Sequence, residues 1–158
     1  MSELTAYHEA GHALLAVLLG GRVTQVTIDP DSDDGPPRFG DTQVLWRPRG
    51  LSDKQFAEIT VQVSLAGPVA EMIYSGEPYH PGVVPEWAAD WRDAWGAAVL
   101  LQPSERKRMD YLEQVAVQLY QRLKSDAVWP ALSALADELL AHETLEADEV
   151  DEVVREWL

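Results

Sequence analysis

The stretch "AYHEAGHALLAVLLGG" (residues 6–21) sets His8 and His12 four positions apart, with Glu9 directly after the first. Residues four apart on a helix share a face, with Cβ atoms about 5–6 Å apart, so two imidazoles can reach one metal ion. Zinc accepts imidazole nitrogen at about 2.0–2.1 Å, and its catalytic sites leave one position open to water. The metal lowers the pKa of that water to about 7, and a neighbouring carboxylate takes its proton during attack on a carbonyl. Glu9 is the residue type and position that this chemistry needs. The competing reading is a buried helix that carries two histidines and no metal, and a third ligand is what separates the two.

The chain has no cysteine, so that ligand must be a histidine or a carboxylate. One class of such sites needs Gly and His three and six residues after the second histidine; Leu15 and Leu18 stand there, which excludes it. Another class uses a carboxylate from a later helix that packs against the first. Glu71 and Asp90 lead on that criterion.

The elements that must position these groups follow from pattern. Tyr7, Gly11, Leu14, Leu15 and Leu18 form a helical stripe over 4–19, ended by Gly20-Gly21. "RVTQVTI" (22–28) alternates in period two and is rich in β-branched residues, which predicts a strand. An acidic loop (29–37) rich in Pro and Gly follows, then a second strand at 40–46 expected to pair with the first. Ser52 and Gln55 form a capping-box pair that opens a helix to about residue 74, with a kink expected at Pro68. Thr60, Ser64, Gly67 and Glu71 share a face of small residues on that helix, suited to close approach by the first helix. Further helices are expected at 86–102, 104–125, 130–142 and 147–157.

Bulk properties narrow the function. A chain of 158 residues with 46% hydrophobic content supports one domain with a real core. The formal charge of −15, from 27 acidic against 12 basic residues, repels phosphate backbones and anionic membranes, so no nucleic-acid partner is expected. The apolar run 10–19 is too short to span a bilayer, and no basic residue precedes it, Arg22 being the first. The expectation is a soluble, cytoplasmic protein without a targeting segment or membrane span.

In this order the motifs resemble the peptidase domain of the FtsH-type, ATP-dependent zinc metalloproteases. The resemblance rests on "YHEAGHALLA" (7–16), "RVTQVTIDP" (22–30), "SLAGPVAEMIYSG" (64–76), "AADWRDA" (88–94) and "LLAHETLEADEVDEV" (139–153). It implies a mainly α fold: one compact, helical, zincin-like domain over 1–158 with a small two- or three-stranded sheet. It implies zinc as cofactor, His8, His12 and Asp90 as ligands, and Glu9 as catalytic base, with Glu71 as the alternative third ligand or a supporting group. The implied activity is a metalloendopeptidase cleaving unfolded or flexible polypeptides; the alternative is a non-catalytic zinc-binding interaction module derived from such a protease. Departures from the family pattern are Pro68, Met72 and Ala89, where the family has Arg, Glu and Asn. No P-loop motif and no membrane-spanning segment occur, so the expectation is a peptidase without the family's motor or anchor, fed by a separate unfoldase in trans. Oligomeric state is not legible.

Other residues have plainer readings. Trp87, Trp91 and Trp95 fit a packing stripe better than a substrate wall. Asp93 reads as a solvated helix residue, His142 as a group at a helix C-terminus, and His80 as an exposed loop histidine. Strand 40–46 has the character of an edge that could hold an extended peptide.

Overall fold

Helix α1 (Ser2–Leu18) is the element around which the rest is built. Its alanines Ala6, Ala10 and Ala13 are completely buried, as are Leu14 and Leu15, and it packs against two other helices and the sheet. The computed structural model describes residues 2–29, 40–47, 50–77 and 84–158; His80 and the acidic loop from residue 30 onward lie outside them.

Strands β1 (Arg22–Thr27) and β2 (Asp41–Leu45) pair antiparallel, Val26 opposite Thr42, with a register irregularity between Val23 and Gln25. Helix α2 (Asp53–Ser75) starts on the expected reciprocal cap: the Gln55 N–H donates to Ser52 Oγ at 3.1 Å, and the Ser52 N–H donates to Gln55 Oε1 at 2.8 Å. It stays one helix through Pro68 and closes on Gly76, whose φ of 77° suits a residue without a Cβ. A 3-10 turn (Pro85–Trp87) leads into α3 (Ala88–Ala98), so the helix expected over 86–102 is shorter and begins with tighter winding. Helices α4 (Glu105–Leu123), α5 (Trp129–His142) and α6 (Ala147–Trp157) complete the described residues.

A third strand, β3 (Thr144–Glu146), lies on the far side of β1 and gives the order β2-β1-β3, all antiparallel. Three residues are too few to show alternation, and the helix before them ends without the usual glycine. Glu143 takes that place at φ 65°, a region where an L side chain crowds its own backbone. Its carbonyl accepts from the Ile28 N–H at 2.8 Å and from the Thr27 hydroxyl at 3.2 Å, so the strained residue is held by the sheet. Glu143→Gly is expected to raise stability by about 1 kcal/mol, seen as a higher midpoint in thermal unfolding. An unchanged or lower midpoint would mean the conformation carries no strain.

The core is built from small residues where helices cross and from leucines elsewhere. A Cβ added at Gly11 would stand 2.6 Å from the Ala66 carbonyl oxygen and 2.8 Å from Ala70 Cβ, so α1 and α2 meet nearly backbone to backbone. An aromatic stack fixes the N-terminal half of α1: the Tyr7 ring centre lies 4.0 Å from that of Tyr74 on α2 and 5.4 Å from that of Trp129 on α5. The Tyr74 hydroxyl donates to Glu3 at 2.5 Å and closes the same corner. Of the tryptophan stripe, Trp87 is buried, and half-buried Trp91 and Trp95 pack on the core, with the Arg108 guanidinium 4.6 Å from the Trp95 ring centre. Asp93 is exposed, as expected.

Candidate metal centre

Three elements converge on one point. Helix α1 presents His8 and His12 on the face that crosses α2, and α3 brings Asp90 in its first turn. His8 Nε2 lies 3.1 Å from His12 Nε2 and 2.8 Å from Asp90 Oδ2, and His12 Nε2 lies 3.4 Å from Asp90 Oδ1. Among the described residues, His8, His12 and Asp90 form the group with the residue types and spacing to hold a metal ion.

The other ring nitrogens are already committed. His8 Nδ1–H donates to Glu71 Oε2 at 2.6 Å, and His12 Nδ1–H donates to the Val63 carbonyl at 2.7 Å. A carboxylate and a carbonyl only accept, so Nδ1 of each ring carries a proton, and in its neutral form each ring turns a lone pair at Nε2 toward the other and toward Asp90. Two lone pairs and a carboxylate in contact repel unless a cation lies among them. Ligands about 2.0–2.1 Å from a tetrahedral zinc stand roughly 3.3 Å apart, close to the 2.8–3.4 Å seen here. The donor set fits zinc in chemistry and in spacing.

Glu71 therefore reaches the outer nitrogen of His8, while Asp90 faces the inner nitrogens of both histidines. The same Glu71 oxygen accepts the Trp87 indole N–H at 2.5 Å. Glu9 points away from this cluster's outer shell, toward the sheet. It is 6% exposed, and its Oε1 accepts the Thr42 hydroxyl of β2 at 2.6 Å. Its charge still reaches both imidazoles, whose protonated forms it favours.

Two glycines make room for this packing. A Cβ at Gly67 would meet His12 Nε2, with His12 Cε1 at 2.7 Å and His8 Nε2 at 2.8 Å. A Cβ at Gly40 would lie 2.8 Å from Glu9 Cγ. The small face on α2 was legible in the sequence, and it is Gly67 that lets the histidines lie against that helix. Thr42, the Val63 carbonyl and the hydrogen-bonding role of Trp87 gave no signal of their own, because each depends on which segments meet.

The carboxylates around His8 and His12 favour the protonated forms of both rings. Burial opposes charge on His8, but the hydrogen bonds to Asp90 and Glu71 outweigh it and lift its pKa from 6.5 to about 10. His12 is raised as well: burial opposes its charge, and the Asp90 carboxylate more than offsets that. Asp90 is pulled well below the ordinary carboxylate range: burial resists its ionisation, but the two histidines prevail. For the metal-free fold, the His8 contribution is full below pH about 6.5 and fades as pH rises through about 10. The Asp90 contribution is present above about 3.8 and is lost as pH falls through its lowered value.

Zinc has to displace those protons, so its uptake at pH 7 is expected to release at least one proton per ion. Apparent affinity should climb about tenfold per pH unit for each proton displaced between pH 6 and 8. Calorimetry in buffers of different ionisation enthalpy measures this. Binding without proton release would place the metal elsewhere.

Among known proteins, no family model matches the chain. It is 32% identical, over 188 aligned positions, to the ATP-dependent zinc metalloprotease FtsH 4 of Sorangium cellulosum (strain So ce56). The chain is homologous to part of an FtsH-type zinc metalloprotease. The alignment takes in 95% of this chain and 28% of that relative, so the chain spans little more than a quarter of the relative's length. Among the described residues no helix is long and apolar enough to cross a membrane.

Proposed function

We propose that this chain is a zinc-dependent metalloendopeptidase domain, with His8, His12 and Asp90 as metal ligands and Glu9 as general base. The observation that carries the proposal is the convergence of His8 Nε2, His12 Nε2 and Asp90 within 2.8–3.4 Å, on a helix that also carries the buried carboxylate of Glu9. Zinc bound there supplies a Lewis acid that acidifies water and polarises a peptide carbonyl.

The chain's own residues do the rest. Glu71 and the Val63 carbonyl keep both imidazoles in the tautomer that offers Nε2. Thr42 holds Glu9 Oε1 by its hydroxyl, and the carboxylate takes a proton from the attacking water. The protonated Glu9 then passes that proton to the departing amine nitrogen. Helix α1 fixes Glu9 next to His8, so the base keeps its place relative to the ligands through the cycle.

The substrate in this proposal is an unfolded or flexible polypeptide. Strand β2 is an outer strand of the sheet, and it carries Thr42, which touches Glu9. An extended backbone laid along that edge would run past the base. A folded protein cannot offer such a strand, so the proposal includes a partner unfoldase that delivers it.

The test is zinc content of the purified protein together with cleavage of unfolded casein. Bound zinc with casein cleavage that stops on chelation and returns with zinc supports the peptidase. Stoichiometric zinc with no cleavage points to a non-catalytic zinc module. Absence of zinc binding overturns both.

A further inference from the structure

We infer that Trp87 is a positioning residue of the metal centre: its indole N–H holds the Glu71 carboxylate against His8 and ties the turn that carries Asp90 to α2. The inference rests on the metal-site reading above and assigns to Trp87 a task beyond packing.

Trp87 ends the 3-10 turn Pro85–Trp87, three residues before Asp90, and is 4% exposed. Its Nε1–H meets Glu71 Oε2 at 2.5 Å, and His8 Nδ1–H meets that same oxygen at 2.6 Å. One carboxylate oxygen thus accepts two buried donors, one from the helix with the histidines and one from the turn before α3. Glu71 sits on α2, so the three segments that build the centre are joined at a single atom. A carboxylate held from two directions cannot swing away from His8, and the ring stays turned so that Nε2 faces Asp90. Of the three tryptophans spaced along this segment, Trp87 is the one that is fully buried and donates to Glu71; Trp91 and Trp95 face each other, with ring centres 6.2 Å apart. Partners behind metal-ligating histidines are typically worth about 10–100-fold in metal affinity.

The experiment is a double-mutant cycle on zinc affinity, measured by competition with a chromogenic chelator, with the visible spectrum of the cobalt-substituted protein as a second readout. Trp87→Phe keeps an aromatic ring, smaller than the indole, and removes the N–H; Glu71→Met keeps the length of the side chain and removes the acceptor. Trp87→Phe is expected to weaken zinc about tenfold and shift the cobalt bands while the far-ultraviolet dichroism stays native. In the Glu71→Met background the same change is expected to cost less than twofold. Equal losses in both backgrounds would show that Trp87 acts through packing alone, and zinc affinity unchanged by Trp87→Phe would show that it does not act on the centre; either overturns the inference. Failure of the underlying reading looks different: the unaltered protein would bind no zinc, or His8→Ala would bind it as well.

Discussion

Glu9→Gln is expected to reduce casein cleavage by about 10²–10⁴-fold while zinc affinity stays within a few-fold of the unaltered protein. The amide has the volume of the carboxylate and can still accept the Thr42 hydroxyl, which now meets Glu9 Oε1 at 2.6 Å, so the local packing survives. It cannot take a proton from water, so the chemical step loses its base. Glu9 is 6% exposed, which leaves little room for bulk solvent or another side chain to substitute for it. His8→Ala is the matching control and is expected to lose zinc and cleavage together. Cleavage by Glu9→Gln at an undiminished rate would remove Glu9 from the mechanism. Steady-state assays with zinc content measured on the same samples distinguish these outcomes.

Gly67→Ala is expected to cripple the centre although it adds one methyl group. On helix propensity alone the change should stabilise α2 by about 1 kcal/mol. Packing opposes it: the new carbon would overlap His12 Nε2 and stand 2.7 Å from His12 Cε1 and 2.8 Å from His8 Nε2. Neither ring can retreat freely, since Glu71 holds one and the Val63 carbonyl the other. Overpacking of this kind typically costs 1–3 kcal/mol, which exceeds the propensity gain. Net destabilisation is therefore expected in the metal-free protein, with zinc affinity at least about 100-fold weaker, beyond what loss of one orienting partner produces. Thermal unfolding with and without zinc gives both numbers. A Gly67→Ala protein more stable than the parent, with zinc binding intact, would mean that α1 and α2 lie farther apart than described.

These two substitutions probe different kinds of information. Glu9 belongs to a pattern confined to five residues of one helix, and spacing alone puts it beside His8 and His12. Gly67 was legible only as one of several small residues on a helix face, without its partner. The same contrast runs through the fold. Helix α1, strands β1 and β2, the Ser52–Gln55 cap and most of the later helices follow from periodicity and end signals, because those forces act within a few residues. Strand β3 escaped because its three residues carry no alternation and its entry bends at Glu143, where a glycine would have announced it.

The sequence by itself determined that His8, Glu9 and His12 share a helix at a spacing that suits a metal site, and that Glu71 and Asp90 were the leading carboxylates to complete it. Only the tertiary structure decided which carboxylate faces which nitrogen. Asp90 meets Nε2 of both rings, and Glu71 meets His8 from behind, steadied by Trp87. The reason is physical: helical spacing fixes directions around one axis, whereas the distance between His8 and a residue 63 or more positions away depends on how α1, α2 and α3 pack. That packing is set by backbone contact at Gly11 and Gly67 and by buried side chains from every helix, none of which a local pattern encodes.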